Sequence, residues 1–227
     1  MLDILRENWL YLLVGRYPEG PLGGLALALV LASVSLALAL PGGVLLALGR
    51  VSHRRWLRWP VSAFVFTVRG LPLIMVIFWA YFLVPIALGV AVPGYVTMIY
   101  ALAFFTAAYL AEIIRAGIEA VPRGQVEAAH SLGLDRFHTT LRVVLPQALR
   151  NVIPSLVNQF VSLTKDTSLA FIVGINELTY AASQINNRTL NHPAEIFALV
   201  AVTYFLICYG LTAYSRHLER RLAWGHR

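Results

Sequence analysis

QVEAAHSLGLDRFHTTLRVVLP, residues Gln125 to Pro146, is the stretch on which the reading of this chain turns. It is a charged, helix-forming island in a sequence that is otherwise strongly apolar. Glu127-Ala128-Ala129 favours helix, and Gly133, four residues past Ala129, either ends that helix or allows close approach. Asp135 is placed to cap a second segment, in which Leu141, Val144 and Leu145 recur at helical spacing before Pro146. A solvated loop with two surface helices fits these residues. So does a rigid docking element that passes force from a soluble partner into the apolar segments on either side.

Those flanking segments set the class. The chain has 227 residues, of which 59% are hydrophobic and 13% charged, against about 25% charged in an ordinary soluble domain. Its mean hydropathy is +0.70. Several runs reach the roughly 20 apolar residues that cross a bilayer as helix. The expected spans are residues 22–48, 61–85, 95–117, 148–172 and 194–214. Pro41-Gly42-Gly43 is expected to kink the first. Residues 118–147 form the loop that carries the island. Asp3 and Glu7 stand where a cleaved signal would be basic, so residues 1–20 read as a surface helix leading into the first span.

Five spans put the termini on opposite sides, and arginine decides which is which. One side holds thirteen: Arg50, Arg54, Arg55, Arg58, Arg115, Arg123, Arg136, Arg142, Arg150, Arg216, Arg220, Arg221 and Arg227. The other holds three, Arg6, Arg16 and Arg188. The positive-inside rule assigns the first side, island included, to the cytoplasm. The amino terminus is then outside and the tail inside. The net charge of +7 is explained by this distribution, and no nucleic-acid partner is expected.

No internal repeat of 20–50 residues and no inverted duplication is visible, so a chain of five helices is expected to build a pathway with a partner chain. There is no G-x-x-x-x-G-K-[ST], so ATP is not expected to be bound or hydrolysed here. No H-E-x-x-H or G-x-S-x-G is present. The six histidines are scattered, and no metal site is expected. Cys208 is the only cysteine, which excludes an intrachain disulfide.

Glu127-Ala128-Ala129, three residues, Gly133, nine residues and Val143-Val144-Leu145-Pro146 resemble the EAA loop of binding-protein-dependent ABC importer permeases. Valine stands at Val143 where that family prefers isoleucine. Arg69-Gly70-Leu71-Pro72-Leu73 is similar to the RGTPL segment of the polar amino-acid permeases. The run from Ala108 to Ile118, AYLAEIIRAGI, is similar to their AYxAEIxRGGI. Lys165-Asp166-Thr167-Ser168-Leu169 resembles their KDTSL, with Glu177-Leu178-Thr179 following. The resemblance covers roughly residues 20–220. It implies an all-α integral membrane protein, a single permease domain of five transmembrane helices with a cytoplasmic coupling-helix loop, in the bacterial inner membrane.

It also implies partners and residue roles. Glu127, Ala128, Ala129 and Gly133 would couple to one of two cytoplasmic ABC ATPase subunits, which bind ATP and magnesium in place of this chain. A second permease subunit, identical or paralogous, would complete the pathway, and an extracytoplasmic amino-acid binding protein would deliver substrate. The stretch LAFIVGINELTY, Leu169 to Tyr180, leans toward the glutamate, aspartate or broad L-amino-acid subgroup. The competing class is an ATP-independent channel or ion-coupled carrier made of a small oligomer.

Ionisable residues inside the spans mark candidate pathway positions. Arg69 lies nine residues into the second span, roughly 13 Å deep at 1.5 Å per residue. It either grips a substrate carboxylate in bidentate fashion or pairs with a protein acid. Lys165, the only lysine, and Asp166 either meet the substrate, the carboxylate holding its ammonium, or serve as structural ion pair and snorkelling side chain. Asn158 either joins helices or contacts substrate. Glu112 and Arg115, three residues apart, are expected to pair along one helix. Leu178, Ala181, Ala182 and Ile185 recur at helical spacing. The stretch 174–193 therefore reads either as a connector or as an outer surface helix that docks the binding protein.

Overall fold

A computed structural model describes residues 2–189 and 192–223; Leu190, Asn191 and, in the basic tail, Arg227 lie outside them. Every regular element among the described residues is helical. Helix α1 (Leu2–Val14) leads through a short turn to α2 (Gly24–Val51), which runs on through Pro41. Helix α3 (Arg55–Gly70) and the pair α4 (Leu73–Phe78) and α5 (Val84–Leu88), joined by a π-turn at Trp79–Leu83, follow. Next come α6 (Gly94–Glu119), α7 (Arg123–Ser131) and the one-turn α8 (Arg136–Thr139). A second π-turn, Thr140–Val144, leads into α9 (Leu145–Asp166). A 3-10 segment, Thr167–Val173, precedes α10 (Leu178–Thr189) and α11 (Pro193–Ala223).

Among the described residues, three single helices are long and apolar enough to cross a membrane: α2, α6 and α11. Their packing fixes their directions. Ser35 of α2 lies beside Ile99 of α6, its hydroxyl donating to that carbonyl at 3.2 Å, and Gly43 lies beside Leu110. Numbers rise together, so α2 and α6 run parallel. Gly117 of α6 packs on Ala148 and Val152 of α9, which runs antiparallel to it with Glu112 level with Ser155. Ser215 of α11 donates to the Pro154 carbonyl of α9, and Cys208 lies at Val161, again antiparallel. Helix α9 therefore carries the chain back between α6 and α11, and the α3–α5 segment carries it back between α2 and α6.

The second expected span, residues 61–85, is not one straight helix: α3 and the Leu73–Leu88 segment meet at 101°. Pro72 is the reason. It has no N–H for a helical bond, and it forces the preceding Leu71 into extended geometry, φ −86° and ψ 142°. The fourth expected span, residues 148–172, is helix α9 only as far as Asp166. Its 22 residues span about 33 Å, enough for a crossing, but polar side chains keep it less apolar than the other three.

The core lies where α2 meets α6. Ala28, Ala32, Ser35, Ala39 and Ala47 are at most 1% exposed, and with buried Gly43 they recur every three or four residues on one face. Leu31, Met98, Leu102, Leu110 and Leu163 fill the space around this smooth stripe. A Cβ on Gly43 would stand 2.6 Å from that of Leu110, so glycine is what lets the two backbones approach this closely.

Candidate functional site

The island is two short helices with defined ends. Helix α7 carries Glu127, Ala128 and Ala129 and stops at Gly133, whose φ is +84°. The Gly133 N–H donates to the His130 carbonyl at 2.9 Å and the Leu134 N–H to the Ala129 carbonyl at 3.1 Å. These two bonds form a Schellman cap, which requires a left-handed residue at that position. The EAA residues divide by role: Ala129 is buried, while Glu127 and Ala128 face out. Asp135 caps α8, accepting from the His138 backbone N–H at 2.8 Å and facing the ring Nδ1 at 2.9 Å. Those bonds, the backbone one first, hold its carboxyl below the usual carboxylate range.

The island is seated on the root of α9 and exposes apolar side chains. Gln147 of α9 donates to the Gln125 side chain of α7 at 3.5 Å. Val121, Val144 and Ala148 form a small buried cluster beneath it. Leu132 is 83% exposed and Phe137 69%. Across a cleft of about 700 Å³, Arg136, Phe137 and Leu141 face Arg54, in the basic turn between α2 and α3, and Leu57 in the first turn of α3.

At the same end of the bundle one carboxylate gathers three arginines. Glu112 Oε2 accepts from Arg50 of α2 and, at 3.3 Å, from Arg69 of α3; its Oε1 accepts from Arg115 Nε at 3.0 Å. Arg115 also reaches Glu119. Three guanidinium groups against two carboxylates leave a local positive surplus. The pairing of Glu112 with Arg115 follows the sequence reading; the part of Arg50, 62 residues away, does not. Its place directly after the first expected span, residues 22–48, was the available signal. Arg69 thus has a protein acid as partner, and it lies 5.2 Å from the Tyr109 ring centroid. Tyr109 in turn donates to the Arg69 carbonyl at 3.4 Å.

Glu112 also borders a cavity of about 410 Å³ between α6 and α9, lined by Gly117, Asn151 and Ser155 among others. Asn158, Lys165 and Asp166 lie further along α9, the last two in its final turn. From Ser155 to Lys165 the rise is about 15 Å, so the four candidate pathway residues do not form one cluster. Asn158, Lys165 and Asp166 are spread along α9, and Arg69 stands apart from them on α3.

At the opposite end of the bundle, Glu177 is fully buried. Its carboxylate caps α10, accepting from the N–H groups of Thr179 and Tyr180 at 2.9 Å, and from the Tyr204 hydroxyl of α11 at 3.0 Å. Burial pushes its pKa up to about 7, against the pull of these donors. Its neighbour Asn176 accepts the Gly24 N–H at 2.9 Å, which ties this turn to the start of α2. Leu178, Ala181, Ala182 and Ile185 pack against Leu12, Ile196 and Val200, the face expected from their spacing.

Parallel apolar helices with a charged helical island at one end define a multi-pass helical membrane protein. Residues 39–224 match the family described as binding-protein-dependent transport system inner membrane component, and the chain belongs to that family. It is similar to the inner membrane amino-acid ABC transporter permease protein YhdY of Escherichia coli K12, 41% identical over 207 residues. That match covers 89% of this chain and 56% of YhdY, so the chain spans little more than half the length of that relative. It is 36% identical to the probable glutamine ABC transporter permease protein GlnP of Bacillus subtilis 168, covering 92% of this chain and 98% of GlnP. Among solved structures, an amino acid ABC transporter crystallised with histidines superposes with a TM-score of 0.82 at 29% identity, covering 97% of both chains.

Proposed function

We propose that this chain is the permease subunit of an ATP-driven amino-acid importer in a bacterial inner membrane. Two such subunits, identical or paralogous, enclose the pathway. Two cytoplasmic ATPase subunits bind ATP and magnesium and power it, and an extracytoplasmic binding protein delivers the amino acid. Five crossings, the second bent at Pro72 and the fourth made by α9, agree with the alternating helix directions. The arginine distribution supports an outside amino terminus and a cytoplasmic tail. Residues 118–147 are then the cytoplasmic coupling loop, and the α10 side faces the binding protein.

The observation that carries this reading is α7 itself. It is a short helix with a fixed end, joined to the root of α9 by the Gln147–Gln125 bond, that buries Ala129 and turns Glu127 and Ala128 outward beside exposed Leu132 and Phe137. Closure of the ATPases would push this helix and tilt α6 and α9 together. A channel or ion-coupled carrier leaves such an element without a use. Glu127→Arg places a cation where an acid faces the ATPase. The expected result is loss of ATPase co-purification and of ATP-dependent uptake, with the subunit still present in the membrane. Retention of both would sink the coupling assignment.

A further inference from the structure

The polar residues of α9 share one face. At 100° per residue, Gln147, Asn151, Ser155, Asn158, Ser162 and Lys165 fall within a strip about 80° wide, with Asp166 at its edge. The flanks of the strip are closed by packing. Val152 and Leu163 are buried on the α6 side, and Pro154 and Val161 face Ser215 and Cys208 of α11. Between those flanks Asn151, Ser155, Asn158 and Lys165 are exposed. From Gln147 to Lys165 the strip rises about 27 Å, close to the roughly 30 Å thickness of a bilayer core. Amides and hydroxyls in that row would have no partners in hydrocarbon, so this face does not look onto lipid.

We propose that this strip is the wall along which the transported amino acid moves. Asn151, Ser155 and Ser162 join Asn158 as its hydrogen-bonding groups, and the Glu112-bordered cavity is its cytoplasmic mouth. The proposal rests on the permease reading and assigns residues within it. The chemistry of the strip suits a zwitterion. Each amide both donates and accepts, as does each hydroxyl, so either the ammonium or the carboxylate of an amino acid finds a partner at every turn. No fixed charge interrupts the strip between Gln147 and Lys165, so no single position holds the substrate tightly enough to stop its passage.

The test is thiol accessibility in the complete transporter, with its ATPases and binding protein, in vesicles. In a Cys208→Ser background, single cysteines replace Asn151, Ser155, Asn158 and Ser162. Ile153→Cys, about 200° from Asn151 on the opposite face, is the control. The probe is a membrane-impermeant quaternary-ammonium methanethiosulfonate, and uptake is followed with radiolabelled glutamine, glutamate and arginine. The expected result is modification at least tenfold faster at the four strip positions than at Ile153→Cys. It should abolish most uptake, and saturating amino acid should slow it. Equal rates at strip and control would overturn the proposal, as would full modification without loss of uptake. Strip cysteines that cross-link between subunits and stay closed to reagent would make the face a subunit contact instead. If the Cys208→Ser complex hydrolyses ATP yet takes up no amino acid, the permease reading itself falls. For any cysteine variant that does not assemble, Ser155→Ala and Asn158→Ser are read by uptake, with KM expected to rise at least threefold and unchanged KM counting against the strip.

Discussion

Substitution of Gly133 isolates the cap of α7 from everything around it. A Cβ at this position would meet nothing within 4 Å, so a larger residue creates no clash. What it must bear is the backbone conformation, φ +84°. For an ordinary L-residue the left-handed region costs roughly 1–2 kcal/mol, and asparagine bears it more readily. Gly133→Ala is therefore expected to open the cap about 5–30 times more often, with Gly133→Asn milder and β-branched Gly133→Val more severe. Hydrogen exchange of the reconstituted subunit reads this directly at the amides of Gly133 and Leu134, which donate to His130 and Ala129. Protection there should fall in the order Gly, Asn, Ala, Val, while the α2–α6 core is unchanged. If alanine protects as well as asparagine, conformational preference is not what ends the helix. ATP-dependent uptake should follow the same order if a fixed α7 transmits the stroke.

Two further predictions concern packing and protonation. Gly117→Ala would bring a Cβ to 2.4 Å from Val152 Cγ1 and 3.0 Å from the Ala148 carbonyl. It should lower stability by about 1–3 kcal/mol. Adding Val152→Ala should recover only part, because the carbonyl remains, and full or absent recovery in thermal unfolding of the purified subunit would refute the geometry. Glu177, raised from the usual 4.5 to about 7, binds its proton more readily folded than unfolded. Its contribution is therefore fully present below pH 4.5 and is lost as pH rises through about 7. Between pH 5 and 8 the apparent melting temperature should fall more steeply in the native sequence than in Glu177→Gln, and equal slopes would refute the assignment.

The chain shows its helices more clearly than their connections. Apolar run length located α2, α6 and α11, because a bilayer imposes that length whatever the neighbours are. Local rules also held. Asp135 caps α8, Gly133 ends α7, and Leu178, Ala181, Ala182 and Ile185 bury one face of α10, since each depends on residues a few positions apart. The 101° corner at Gly70-Leu71-Pro72 was hidden because hydropathy does not register a missing N–H. Arg50 on Glu112 and Tyr204 on Glu177 join residues 62 and 27 positions apart. Such pairings exist only once helices are side by side. For the same reason the sequence could not name Glu112 as the neighbour of Arg69.

The stripe of alanines and glycine on α2 bears on how the bundle holds together inside lipid. There, apolar side chains gain little by leaving hydrocarbon for protein, so the usual driving force between helices is largely absent. Ala28, Ala32, Ala39, Gly43 and Ala47 have no rotamers to freeze. Bringing α2 against α6 therefore costs almost nothing in side-chain entropy while it gains close backbone-to-backbone dispersion. The pair is cohesive because it has so little to lose on packing.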